Sequence, residues 1–389
     1  MDPISERLWK RAGELKFPLT AAFELLPLCN LSCKMCYVRK TSADVEAAGG
    51  LIRAEQWLAW AEQAKSLGLL YPLLTGGEPF LHPDFRQILT GFQQMGLQVS
   101  LNSNGTMIDR ETARWLGQHR PTRINMTLYG ASAETYSRLC GNGDAFERVR
   151  RAVEYLTEFN VPVKFNYSAT PQNIQDLDAV MAYAREVGKP IQVATYMFPP
   201  VRRDAQSVGQ NDRMTPEEAG MARVRADYLQ SESDWFIGQA RRFSHFVDPD
   251  RLDLPDDGPE LGMQCRAGVC SFWIDWEGNM VNCGMYGSAK LPLEGRQLAE
   301  VWRQLTAQTQ SYRFAPVCAS CPNIVLCHPC MAMVHNECGG PTGRPEYLCR
   351  MNHAAARGYR EYLHTYFPDA DIAESSEAAD WQRCELDEF

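Results

Sequence analysis

The sequence predicts an α/β protein, and three observations carry that prediction. Apolar strands alternate with amphipathic helices six times between about residues 21 and 197, the pattern of parallel βαβ units. The C-terminal third is rich in Gly, Pro and Cys and has weak hydrophobic periodicity. With 389 residues there is room for an α/β barrel plus an appendage.

In order, the first strand is Thr20 to Leu28 and the first helix runs from near Arg53 to Leu67, closed by Gly68. Leu69 to Thr75 is a second strand. Phe85, Ile88, Leu89, Phe92 and Met95 then recur at helical spacing before the stop at Gly96. Leu97 to Asn102 is strand three, Asp109 to Gln118 a helix, and Arg123 to Leu128 strand four. A longer helix ends near Asn160, Val161 to Ala169 is strand five, and Ile174, Leu177, Met181, Ala184 and Val187 mark one helix face before Gly188. Ile191 to Met197 is the sixth strand. The expected organisation is an extension over 1–19, a core over 20–199, a connector over 200–258 holding a helix at Pro216 to Gln230, a cysteine-rich unit over 259–350, and a C-terminal helix with an acidic tail over 351–389.

Residues 367–389 hold eight acids and one base, a balance of −7 that leaves only −2 of the chain's −9 for the rest. Neither part forms the basic patch that nucleic-acid binding requires. No apolar run reaches the roughly 18 residues of a bilayer span, and the charged N-terminus has no apolar signal region, so a cytoplasmic protein is expected. Fourteen cysteines in a reducing compartment point to metal or redox chemistry rather than disulfides.

Cys29-Asn-Leu-Ser-Cys33-Lys-Met-Cys36 sets three thiols in a loop directly after the first strand. Three thiolates closing on an iron–sulfur cube leave one iron open to a small molecule, whereas a zinc knuckle needs a fourth ligand, and no His follows until His82. The spacing, followed by the aromatic Tyr37, resembles the hallmark of the radical S-adenosylmethionine (SAM) superfamily. That resemblance implies a partial (β/α)6 barrel, a [4Fe–4S] cluster on Cys29, Cys33 and Cys36 that binds SAM, and formation of a 5′-deoxyadenosyl radical.

Loops after the next strands are similar to the family's cofactor contacts. Gly76-Gly77-Glu78-Pro79 resembles the GGEP segment that receives the SAM ammonium. Asn102, Ser103 and Asn104 resemble the ribose-contacting segment. Arg138 is a candidate for the SAM carboxylate or else a solvated helix-face arginine. Ser168 and Tyr196, at the ends of strands five and six, are expected to line the cavity.

The C-terminal cysteines resemble the SPASM extension of peptide- and protein-modifying members. Cys265, Gly278 with Cys283 after four intervening residues, Cys318-Ala-Ser-Cys321 and Cys327 fit its pattern, and Cys330 arrives one residue early. The resemblance implies two auxiliary [4Fe–4S] clusters, on Cys265, Cys270, Cys283 and Cys330 and on Cys318, Cys321, Cys327 and Cys349. Cys338 replacing Cys330, an open iron on the first cluster, or zinc on the Cys-x2-Cys pairs are the alternatives. This unit is expected to have little regular structure.

Cys140 is either an inert buried thiol or a hydrogen donor, as in some radical SAM epimerases. The activity so implied is hydrogen abstraction from a ribosomally made peptide, with thioether or carbon–carbon crosslinking. Formylglycine formation as in sulfatase-maturing enzymes, epimerisation, and a non-catalytic zinc or electron-transfer module are the alternatives; sulfatase maturases carry an Asp where Gly284 follows Cys283. Expected partners are the peptide, a flavodoxin or ferredoxin reductant, and a separate leader-recognition protein unless the connector or tail grips the leader.

Overall fold

The computed structural model describes residues 3–198, 213–252, 261–263, 265–286, 290–340 and 342–370. In the first half the elements are α1 (Pro3–Leu15), β1 (Thr20–Glu24), α2 (Ser42–Ala47), α3 (Ala54–Ser66), β2 (Tyr71–Thr75), α4 (Phe85–Gln94), β3 (Ser100–Ser103), α5 (Arg110–Gln118), β4 (Arg123–Thr127), α6 (Ala133–Cys140), α7 (Ala145–Glu158), β5 (Val163–Ser168), α8 (Leu177–Glu186) and β6 (Ile191–Ala194). The second half follows with α9 (Pro216–Gln230), α10 (Ser233–Ser244), β7 (Ser271–Ile274), β8 (Asn279–Val281), β9 (Leu291–Pro292), α11 (Leu298–Gln310), α12 (Pro316–Ala319), α13 (Ile324–Cys327), α14 (Met331–Cys338) and α15 (Glu346–Tyr366).

One sheet runs through the molecule in the order β6-β5-β4-β3-β2-β1-β7-β8-β9 and does not close. The first six strands are parallel with a helix between successive pairs, which is the expected partial barrel. Side chains alternate across the sheet. Phe23, Ile124, Met126, Phe165 and Tyr167 are fully buried on the helix side. There Phe23 meets Trp57, Phe92 and Phe272 edge-on at 6.1, 4.9 and 6.3 Å. The alternate residues face the lumen of the open barrel.

Between β4 and β5 lie the two helices α6 and α7, because Gly141 takes a left-handed conformation (φ 73°) and ends α6. Two differences from the sequence reading have local causes. The first strand stops at Glu24, yet its extension still pairs: Leu25 N donates to Thr75 O, Gly77 N to Leu26 O and Glu78 N to Leu28 O. The cysteine-rich unit is more regular than expected, with β7 joining β1 in parallel and β8 and β9 completing an antiparallel ribbon.

The connector helix α9 begins where expected, on a reciprocal Thr215–Glu218 capping box with Pro216 in its first turn. α10 was not anticipated. Phe236 and Phe243 of α10 pack on Tyr359 of α15, which docks α9, α10 and α15 as a separate small core. Among the described residues, no helix is long and apolar enough to cross a membrane. The acidic tail beyond residue 370, with Cys384, and the Pro199, Pro200 and Arg202 segment lie outside the described residues.

Candidate functional site

The three-thiol loop leaves β1 at the sheet's C-terminal edge, where a parallel α/β barrel presents its chemistry. It is pinned to the end of α6: Ser32 N donates to Cys140 O (2.9 Å) and Lys34 N to Leu139 O (3.0 Å). Cys29 Sγ accepts from Leu31 N at 3.4 Å and Asn104 Nδ2 at 3.6 Å, and Cys36 Sγ accepts from Arg39 N at 3.3 Å. Burial, followed by the charges of Glu78, Cys33 and Cys36, pushes the Cys29 thiol up to about 12 despite the Leu31 amide. Cys33 moves the other way because the Cys140 thiol, and then the Tyr129 hydroxyl, hydrogen-bond to its sulfur. Cys140 is itself raised by that bond and by burial. The Cys140 thiol thus engages Cys33.

The Gly76–Pro79 loop packs against the same backbone. A Cβ on Gly76 would stand 2.4 Å from Leu26 O, and one on Gly77 2.1 Å from Leu28 O, so only glycine lets the two segments meet. Glu78 is fully buried and accepts from Ser103 Oγ (2.9 Å), Asn104 N (2.8 Å) and Phe80 N (3.3 Å). Burial outweighs those three donors and raises it to about 7. Asn104 also donates to Asn30 Oδ1 (2.9 Å), and Asn30 Nδ2 donates to Thr106 Oγ1 (2.7 Å). Glu78 and the Asn30–Asn104–Thr106 knot therefore lock the loops after β1, β2 and β3 together.

Of the sequence-predicted residues, Cys29, Cys33, Cys36, Gly76, Gly77, Glu78, Pro79, Ser103, Asn104 and Cys140 come together here. Tyr37 sits half-buried beside Cys36, Asn102 lies in the lumen, and Ser168 ends β5 half-buried. Arg138 is directed elsewhere: its guanidinium donates to Gln172 O at 2.7 Å and pairs with Glu134 at 3.4 Å. Tyr196 donates to Glu337 Oε1 on α14 at 2.7 Å.

The later cysteines separate into two groups. Cys265 feels the charges of Cys283 and Cys270, and Cys330 those of Cys283 and Cys265. Cys318 and Cys327 each feel Cys349 and Cys321. Cys318, Cys321, Cys327 and Cys349 also line one cavity, into which Arg344 reaches; the Arg344 guanidinium bonds the Cys349 sulfur. Cys338 is exposed and lies toward Cys349, whereas Cys330 caps α14, its sulfur accepting from Met333 N. The early Cys330 therefore stands with Cys265, Cys270 and Cys283.

Among the described residues no group of three His, Cys, Asp or Glu side chains is placed to hold a single metal ion. Burial lifts Cys265 to about 11 and Cys318 and Cys330 to about 12, so these thiols keep their protons until a metal displaces them.

Residues 23–184 match the Radical SAM superfamily. The chain carries a radical SAM domain. Members of that superfamily are enzymes, and the family implies a [4Fe–4S] cluster and SAM. The chain is 23% identical over 326 residues to the AdoMet-dependent heme synthase of Methanosarcina barkeri (strain Fusaro / DSM 804), an alignment covering 78% of this chain and 91% of that one. Its fold resembles Streptococcus suis SuiB bound to precursor peptide SuiA (TM-score 0.63, 18% identity, 88% of this chain and 80% of that one). It also resembles native anSMEcpe with bound AdoMet (TM-score 0.63, 17% identity, 91% and 98%).

The sequence reading missed several contacts. Arg213 forms a forked pair with Glu337 (2.6 and 3.0 Å), stacks its guanidinium 4.1 Å over Tyr347, and so ties α14 and α15 to the barrel mouth beside Tyr196. On β1, buried Glu24 accepts from Trp273 Nε1 at 3.0 Å. A charged residue in an otherwise apolar strand was the available signal for Glu24. The Arg213 clamp joins residues 124 apart and left none.

Proposed function

We propose that this enzyme abstracts hydrogen from a residue of a ribosomally synthesised peptide and installs a thioether or carbon–carbon crosslink. The observation that carries the reading is the union of a three-thiol loop at the barrel mouth with two four-thiol groups in the C-terminal unit. The fold likeness to SuiB, solved with its precursor peptide, supports a peptide substrate. When bound, the cluster on Cys29, Cys33 and Cys36 and SAM supply a 5′-deoxyadenosyl radical. The chain's own part is positional: Glu78, Ser103 and Asn104 hold the loops around the cofactor, and the sheet and its helices keep water from the lumen.

The two C-terminal groups are proposed to hold auxiliary [4Fe–4S] clusters, on Cys265, Cys270, Cys283 and Cys330 and on Cys318, Cys321, Cys327 and Cys349. A flavodoxin or ferredoxin supplies electrons, a separate protein presents the leader, and the enzyme works in the cytoplasm. Anaerobic reconstitution is expected to load about twelve irons per chain. Replacing Cys29, Cys33 and Cys36 together by Ala should remove about four of them and abolish 5′-deoxyadenosine formation. Unchanged iron would refute that ligand set.

A second reading, chemistry on a non-peptide substrate, is favoured by the alignment with the heme synthase along most of both chains. Mass spectrometry of a candidate precursor peptide, incubated with reconstituted enzyme, SAM and reductant, separates the two. Loss of two hydrogens at a mapped linkage supports crosslinking; an unaltered peptide with continued SAM turnover supports the second.

A further inference from the structure

Helices α9 and α15 meet so closely that a Cβ on Gly220 would stand 2.3 Å from Met351 O. Next to that contact Asn352 is buried, at 3% exposure, and its carboxamide is fully used. Oδ1 accepts from Arg223 Nη1 at 3.1 Å, while Nδ2 donates to Leu348 O at 2.9 Å and to Cys327 Sγ at 3.5 Å. The orientation follows from the partners. A guanidinium only donates, so Arg223 keeps the carboxamide oxygen on its own side and turns the NH2 group toward the sulfur. Arg223 is fixed in turn by Asp227 at 4.0 Å and by the Phe243 ring, 4.9 Å from its guanidinium. Tyr359 donates to the same Asp227 carboxylate.

An Arg223–Asn352 bond alone would tie the two helices together. The bond to sulfur goes further, because Cys327 lines one cavity with Cys318, Cys321 and Cys349. Donors to ligand sulfurs and nearby positive charge favour the reduced, more negative state of an iron–sulfur cluster. In a buried setting such a bond is weakly screened and is strengthened by the cation behind it. We propose that Asn352, anchored by Arg223, is a positioning residue that makes the auxiliary cluster of Cys318, Cys321, Cys327 and Cys349 easier to reduce through its hydrogen bond to the Cys327 sulfur. This role rests on the proposed ligand set of that cluster.

Redox titration of the reconstituted full chain, followed by electron paramagnetic resonance, tests it. Cys29, Cys33 and Cys36 are replaced by Ala so that only auxiliary signals remain. Asn352→Leu keeps the bulk and removes the donor. One of the two auxiliary clusters should then be harder to reduce, its reduced-to-oxidised ratio at a fixed potential falling at least about threefold, while the other keeps its midpoint. Asn352→Gln, which retains a carboxamide, should recover part of the loss. Iron and sulfide analysis verifies loading of each variant, and thermal melts verify folding.

A lowered melting temperature with both midpoints unmoved is the mark of a merely structural Asn352 and would overturn the role, as would an equal shift of both clusters. If Asn352→Leu fails to load, Arg223→Lys decides, since it keeps a cation beside Asp227 but loosens the carboxamide: a shift of one midpoint in the same direction upholds the role, and unmoved midpoints overturn it. Failure of the ligand set is distinct. The chain with Asn352 intact then holds about four irons in this background rather than about eight, and the role of Asn352 falls with it.

Discussion

Glu78 shows how a single residue of this site trades stability for position. Its carboxyl titrates at about 7 in the fold because burial outweighs three hydrogen bonds, against an ordinary value of 4.5. Folding therefore favours the protonated form, and the contribution is lost as pH rises from 4.5 through about 7. Glu78→Gln removes that dependence: the variant should equal the wild type near pH 4 and exceed it near pH 8 by roughly 3 kcal/mol at most, while losing SAM affinity. Thermal melts across pH and SAM titration read the two effects; a wild-type melt flat between those pH values would contradict the assignment. Gly77→Ala acts in the opposite sense. A methyl 2.1 Å from Leu28 O must push the cysteine loop away, so a loss of about 2–4 kcal/mol and fewer bound irons are expected from denaturant melts and iron analysis.

The elements whose boundaries were read correctly are those where periodicity and punctuation agree. α4 carries Phe85, Ile88, Leu89 and Phe92 on one buried face, and α9 starts on Thr215 and Pro216 as its sequence signals. The helix break falls at Gly141-Asn142-Gly143, where Gly141 takes the left-handed conformation. The break matters because it frees the Cys140 carbonyl to hold Ser32. α14 is short and depends on contacts made elsewhere. Glu337, 8% exposed, holds both Tyr196 and Arg213. Glu337→Ala leaves the Arg213 cation partly buried and unpaired, a cost of about 2–3 kcal/mol after allowance for its 22% exposure. Protease should then cut near α14 sooner than in wild type, whereas Glu337→Gln, which retains the Tyr196 acceptor, should lie between.

Across the whole molecule the apolar core is unevenly shared. The barrel, β7–β9 and α11 form one large core, while among the described residues the apolar cluster around Cys318 and Cys330 is small, built on Tyr286, Phe314, Cys318, Met331, Ala332 and Val334. With the proposed auxiliary clusters in place, so small a core is held by its metal as well as by packing. Stripping iron from the reconstituted enzyme should raise hydrogen exchange over 312–340 first and leave 97–187 protected; uniform loss of protection would contradict this. The six-fold repeat, the thiol loop and the GGEP turn are local patterns, each decided by side chains within a few residues. These the sequence determined by itself. Only the tertiary structure decided that β7 extends the barrel sheet, that Cys330 rather than Cys338 lies toward Cys265 and Cys283, and that Arg138 turns to Gln172. Each of those depends on which distant segments meet, and strand register and loop closure set that only when the whole chain packs.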